Sequence, residues 1–180
     1  MPEYDISEIE RLVDGKLAWP RVQEIMKAAK DRERFQKWLQ ILQSRVEWRN
    51  RILLPLSPSL FIVQKGRQRV VKCRCGHDFG DYRVNWKLSA LIHVRDDEEK
   101  LGEIYRGREK PDPTWVQLRE YYCPGCGTQL EVESMPRGAP PDFEFLPDLD
   151  TFYRDWLGEP LPDEVPFEDK TLDTVSRWST

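Results

Sequence analysis

The chain has 180 residues, enough for one domain with appended segments and for a core that removes roughly 70% of the unfolded surface from water. Charged residues make up 33% of it, yet the net charge is only −4 and the pI about 5.4, which weighs against a general nucleic-acid binder. No apolar stretch is long enough to cross a bilayer, and Met1-Pro2-Glu3-Tyr4-Asp5 lacks the basic-then-apolar start of a secretory signal; a cytoplasmic protein with reduced cysteines is the expectation.

The N-terminal third, residues 1–50, reads as helical. Ser7 and Glu10 fit a capping box, Ile9, Leu12 and Val13 share a face, and Gly15 stops the helix. Pro20 suits the first turn of a second helix running to about Ala29. A third follows Asp31, with Phe35, Trp38, Leu39, Leu42 and Val46 at helical spacing. The pattern then changes. Residues 51–135 read as a β-rich core, with Leu53 to Leu56 and Leu60 to Val63 extended and broken by Pro55 and Pro58. Gln64-Lys65-Gly66 turns the chain into Gln68–Cys73, a hairpin. Asp81 to Val94 reads as strand with irregular structure, and Asp96 to Pro113 as a charged surface excursion. Trp115 to Tyr122 and the alternating Gln129–Glu133 read as strands. Residues 136–180 are proline-rich and acidic, an arm with one short helix around Leu149–Leu157 stopped by Gly158; such arms order on partners. The predicted class is α+β: N-terminal helices, a small antiparallel zinc-ribbon-like core, and an extended C-terminal arm.

All four cysteines fall into two tight pairs, Cys73-Arg74-Cys75 and Cys123-Pro124-Gly125-Cys126, each followed by glycine. A Cys-x-x-Cys-Gly turn aims two thiolates at one ion, and the glycine lets the backbone double back without a Cβ clash. In Cys73-Arg74-Cys75 alternation along an extended strand would send both thiols from one face. Two such pairs supply the tetrahedral sulfur shell that zinc prefers. The spacing departs from the usual ribbon in the single residue between Cys73 and Cys75 and in the long insert, residues 76 to 122. His77 leaves a competing set open: Cys75, His77, Cys123 and Cys126. The four-sulfur set, Cys73, Cys75, Cys123 and Cys126, is favoured because it uses both full pairs. Four protein ligands leave no open position, so the expected role of the zinc is structural. A redox Cys-x-x-Cys is disfavoured by Pro124, Gly125 and Gly127, which form a turn rather than a helix start.

No phosphate-cradling loop, dinucleotide fingerprint or nucleophile elbow is present, and no residue is nominated as catalytic. His93, between Ile92 and Val94, is expected as a hydrogen-bonded core residue. Two other classes compete with a structural subunit. A zinc-ribbon nucleic-acid module would use Arg67, Arg69, Lys72 and Arg74, and a zinc hydrolase would need an open coordination site.

Long stretches of the chain resemble the gamma subunit of acetone carboxylase. They include Val71–Phe79, Asp81–Leu88, Val94-Arg95-Asp96, Arg119–Gly127, Val132-Glu133, Pro147-Asp148-Leu149, Phe152-Tyr153 and Trp156-Leu157-Gly158, with Arg45–Trp48 and Leu53–Leu56 upstream. The likeness runs from about residue 4 to 160. It implies a non-catalytic small subunit of an ATP-dependent ketone carboxylase, a ligase joining a ketone and bicarbonate to a β-keto acid, such as acetone to acetoacetate. It further implies two larger hydantoinase-like subunits, alpha and beta, that carry the ATP and manganese sites, in a hetero-oligomer with two copies of each chain. No nucleic acid and no membrane are expected among the partners. The gamma subunit's zinc ligands carry over onto the four cysteines already named. Acetophenone carboxylase, which acts on an aryl ketone, belongs to the same family, so the resemblance leaves both ketones open.

Overall fold

The computed structural model describes residues 3–107 and 109–178. Three helices lead the chain: α1 (Ile6–Val13), α2 (Trp19–Lys27) and α3 (Arg34–Gln43). The cap of α1 is Asp5 rather than Ser7: the Asp5 carboxylate accepts from the Ser7 amide at 2.8 Å, two residues earlier than the capping-box pattern placed it. Pro20 does sit in the first turn of α2. Asp31 anchors the helices to one another. Its carboxylate accepts from the Tyr4 amide at 3.1 Å, the Glu33 amide at 2.8 Å and the Lys37 ammonium at 2.8 Å. Tyr4, Ile9 and Ile41 bury their side chains beside it.

Among the described residues, seven strands follow in two antiparallel sheets. The first has the order β1 (Arg51–Ser57), β2 (Leu60–Lys65), β3 (Gln68–Cys73), β4 (Asp78–Asp81). Gly66 at φ 61 makes the expected β2–β3 turn. Pro55 does not break β1. The strand lies at the sheet edge and shifts register on either side of Leu54-Pro55, so the missing amide costs little. The apolar run Leu60–Val63 is explained by burial on both faces. Leu60, Ile62, Val71 and Cys73 face one core; Phe61, Val63 and Val70 face the other, against Leu42, Trp38 and Leu39 of α3.

A 3-10 turn at Trp86–Ser89 leads into the second sheet, β5 (Leu91–Arg95), β6 (Val116–Tyr122), β7 (Gln129–Pro136). The charged excursion between β5 and β6 contains a short helix, α4 (Glu98–Gly102), capped by Asp97 and pinned by the fully buried Leu101. His93 is exposed on β5 rather than buried, because β5 is an edge strand whose Leu91, Ile92 and His93 all reach solvent.

Residues beyond Pro136 pack on both sheets. α5 (Leu149–Thr151) runs into a π turn at Phe152–Trp156, and Gly158 at φ 70 ends it as expected. Leu149 and Tyr153 enter the main core with Leu53, Trp86 and Tyr121, and the Tyr153 hydroxyl donates to the Leu53 carbonyl at 2.7 Å. A last helix, α6 (Thr171–Trp178), has no counterpart in the sequence reading. It is held where the Thr171 hydroxyl accepts from the Asn85 amide at 3.0 Å. No helix among the described residues is long and apolar enough to cross a membrane.

Candidate metal centre

Each cysteine pair sits on a tight turn at the end of a strand, one per sheet. Cys73 ends β3, and its amide donates to the His77 carbonyl at 2.8 Å while the Gly76 amide returns to the Cys73 carbonyl at 2.8 Å. The second pair repeats the scheme with one more residue: the Cys123 amide donates to the Thr128 carbonyl at 2.9 Å and the Gly127 amide to the Cys123 carbonyl at 2.8 Å. Gly76 (φ 99) and Gly127 (φ 69) adopt the left-handed backbone that lets both turns close. The single residue between Cys73 and Cys75 therefore works through a turn, not through alternation along an extended strand. Cys75 already lies beyond the end of β3.

The two turns face each other. Cys73 Sγ lies 3.8 Å from Cys126 Sγ and Cys75 Sγ 3.7 Å from Cys123 Sγ. All four sulfurs fall within 4.8 Å of one another. A tetrahedron of sulfurs at the usual Zn–S bond of about 2.3 Å has edges of about 3.8 Å, so both cross-pair distances match such an edge. They are far from a disulfide's bond of about 2 Å, and the four cysteines are free. His77 stands outside the cluster. Its ring meets Phe79 edge-on, with centroids 5.0 Å apart, and the sulfurs of both pairs gather without it. The approach is tight at Gly125: a Cβ there would lie 3.0 Å from His77 Cβ and 3.3 Å from Cys75 Sγ, so a neighbour would have to give by a few tenths of an ångström.

The electrostatics suit a cation. Burial pushes the Cys73 and Cys123 thiols up, so in an empty site they stay protonated. Cys126, exposed at the rim, is lowered to about 6 by the Thr128 hydroxyl, 3.1 Å away, and by the Thr128 amide. The Gly125 and Cys126 amides point at Cys123 and the Cys75 amide at Cys73, donors arranged to stabilise negative sulfur. A soft divalent ion would supply the charge that ionises the buried pair, and the residues present fit one.

A second cluster was not foreseen from sequence. Glu131, Glu133 and Glu144 also gather at ligand distances, but a cation of the chain already occupies their midst. The buried Lys87 ammonium touches Glu133 directly, lies 2.6 Å from Glu131 and 3.4 Å from Glu144, and stands over the Tyr121 ring. Tyr121 donates its hydroxyl to Glu133 at 2.6 Å. The signal was present in Glu131 and Glu133, two carboxylates on one face of β7. Charged positions are ordinarily read as the solvent face, whereas here Val132 is the exposed one.

Comparison with known proteins agrees with the sequence resemblance. A family model for the acetone carboxylase gamma subunit matches residues 46–157. The chain is 46% identical over 164 residues to the acetone carboxylase gamma subunit of Xanthobacter autotrophicus, covering 90% of this chain and 98% of that one. It is also 33% identical over 79 residues to the acetophenone carboxylase beta subunit of Aromatoleum aromaticum, covering 43% of this chain and 61% of that one. The chain belongs to the acetone carboxylase gamma subunit family.

Proposed function

We propose that this chain is the zinc-bearing, non-catalytic small subunit of an ATP-dependent ketone carboxylase, with acetone as the substrate of the assembly. Acetone is preferred over an aryl ketone because likeness to the acetone carboxylase subunit runs through nine-tenths of the chain, whereas likeness to the acetophenone enzyme covers less than half. The observation that carries the metal assignment is the meeting of two sequence-distant thiol pairs at tetrahedral edge distances. Cys73, Cys75, Cys123 and Cys126 would hold the ion, and four thiolates leave no position for substrate, so its chemistry is that of a staple. It ties the end of β3 to the β6–β7 turn, joining two sheets that share no strand pairing.

ATP and manganese are assigned to larger hydantoinase-like partners, two copies of each subunit forming a cytoplasmic assembly. The small subunit contributes surface rather than reacting groups, with a helical part up to residue 50, a metal-bearing core to residue 135 and a C-terminal arm beyond it. The competing nucleic-acid reading is weakened by its own residues. Arg69 is bound to Asp150, Lys72 is paired with Asp78 and Arg67 lies 3.4 Å from Asp163, so of these four cations Arg74 alone pairs with no carboxylate of the described residues.

Purification of the tagged chain from its host, with peptide mass identification and metal analysis, tests the reading. One zinc per chain and two larger carboxylase subunits are expected. ATP-dependent carboxylation by the isolated chain, or its purification alone without metal, would overturn it.

A further inference from the structure

Resting on that reading, we infer that the face where α1, α3 and the π turn meet is the docking site for a larger carboxylase subunit. The partner contributes an apolar segment flanked by carboxylates. The face is a groove of about 890 Å³ floored by Val13, Phe35, Trp38, Phe152 and Leu157. A second groove of about 440 Å³ shares Val13 and Trp38 with it and continues past Leu42 and Leu56 to Arg74, beside the metal centre. Trp156 stands at the rim of the first with 79% of its surface exposed, and Val13 is 39% exposed. A tryptophan left in water at the edge of a continuous apolar channel, with arginine beside it, has the composition of an interface centre.

Charge identifies the occupant. Residues 1–74 hold sixteen Lys and Arg against nine Asp and Glu, while residues 75–180 hold twelve against twenty-three. Lys30, Arg32 and Arg34 line the first groove and Arg74 the second, and none of the four pairs with a carboxylate among the described residues; the two carboxylates of the first groove, Asp31 and Asp155, are already paired with Lys37 and Arg154. An occupant with apolar side chains alone would leave these cations uncompensated, so the complementary segment carries Asp or Glu on its flanks. A second copy is disfavoured. Two-fold pairing would bring two copies of the same basic rim together, and pairing the basic face with the acidic half of another copy would be head-to-tail, a contact that builds rings or open filaments rather than a simple dimer.

Two exposed positions test the site without disturbing the core: Arg32→Glu and Trp156→Ser, with Trp115→Ser, 76% exposed just before β6 of the second sheet and lining neither groove, as the control. Each tagged full-length chain is purified from its host, and the larger carboxylase chains retained per tagged chain are measured by peptide mass. Arg32→Glu and Trp156→Ser are expected to lower that ratio at least tenfold with unchanged metal content and melting temperature, and Trp115→Ser to leave it unchanged. Wild-type retention by both groove variants, or equal loss with Trp115→Ser, would overturn the docking site while leaving the functional reading intact. Light scattering that shows a dimer of the isolated chain broken by Arg32→Glu would overturn it in favour of a second copy. Failure of the wild-type chain itself to retain carboxylase subunits would instead remove the functional reading beneath it.

Discussion

At the scale of single residues, the candidate metal centre depends on contacts that leave little room for change. Gly125 lies so close to His77 and Cys75 that a methyl group must displace one of them. Gly125→Ala is expected to cost about 1–3 kcal/mol, the usual range for overpacking, and to weaken metal retention in a chelator competition. The choice between sulfur and imidazole is equally direct. Cys73→Ser should lose the metal, whereas His77→Ala should keep a full equivalent, since the imidazole packs on Phe79 and takes no part in the cluster. Metal content of the two purified variants decides it; zinc lost from His77→Ala and kept by Cys73→Ser would return the histidine set. Lys87 sets a different constraint. Removing its ammonium leaves Glu133, itself buried, without a counter-charge, so Lys87→Met is expected to cost about 3–5 kcal/mol in urea unfolding.

At the scale of elements, one tether holds the N-terminal helices together and another holds the C-terminal segment to the first sheet. The first is Asp31. Its ion pair with Lys37 and its amide donors bring its carboxyl down to about 2 from the ordinary 3.8. A carboxyl lowered on folding adds stability that is complete above the unfolded value and is lost as pH falls through the folded one. Docking of α1 and α2 on α3 should therefore weaken between about pH 4 and pH 2. Asp31→Asn, less stable at neutral pH, should show a flatter decline of urea midpoint over that window; a parallel decline would place the acid sensitivity elsewhere. The second tether is Arg69, a buried side chain on β3. Its guanidinium makes two bonds of 2.6 and 2.7 Å to Asp150 and a third to the Asp163 carbonyl. Arg69→Ala should cost about 3–5 kcal/mol, as loss of one partner of a buried pair does. It should also open the stretch from Asp148 to Val165 to limited proteolysis, because the Asp150 carboxylate also accepts from the Val165 amide at 3.0 Å.

At the scale of the whole molecule, the cysteine cluster and one aromatic column join the two sheets. Phe79, Trp86 and Tyr121 stack edge to face across the boundary, with centroids 5.8 and 6.0 Å apart. Structural zinc in comparable small sites contributes on the order of 10 kcal/mol, as much as the entire net stability of many domains. Chelation at neutral pH, which lets the buried Cys73 and Cys123 thiols reprotonate, is expected to loosen the joint. A red shift of tryptophan emission, from exposure of Trp86, would accompany a lower melting temperature. Unchanged emission and melting after complete metal removal would show that the aromatic column alone holds the sheets.

Much of this was legible in the chain. The paired cysteines, the three leading helices, the β2–β3 hairpin and the stop at Gly158 are local, set by turn chemistry and by the spacing of apolar residues within a few positions. What lay out of reach depended on partners distant in sequence. Pro55 fits β1 only because that strand falls at a sheet edge, and His93 is exposed for the same reason on β5. Glu133 faces inward because Lys87, 46 residues away, waits there. The four sulfurs were nameable from their types and spacing; their convergence, and the position of His77 outside their cluster, followed only from how the two sheets pack. Local free energies choose helices, turns and ligand pairs, whereas burial and charge compensation between remote segments choose which face of an element turns inward.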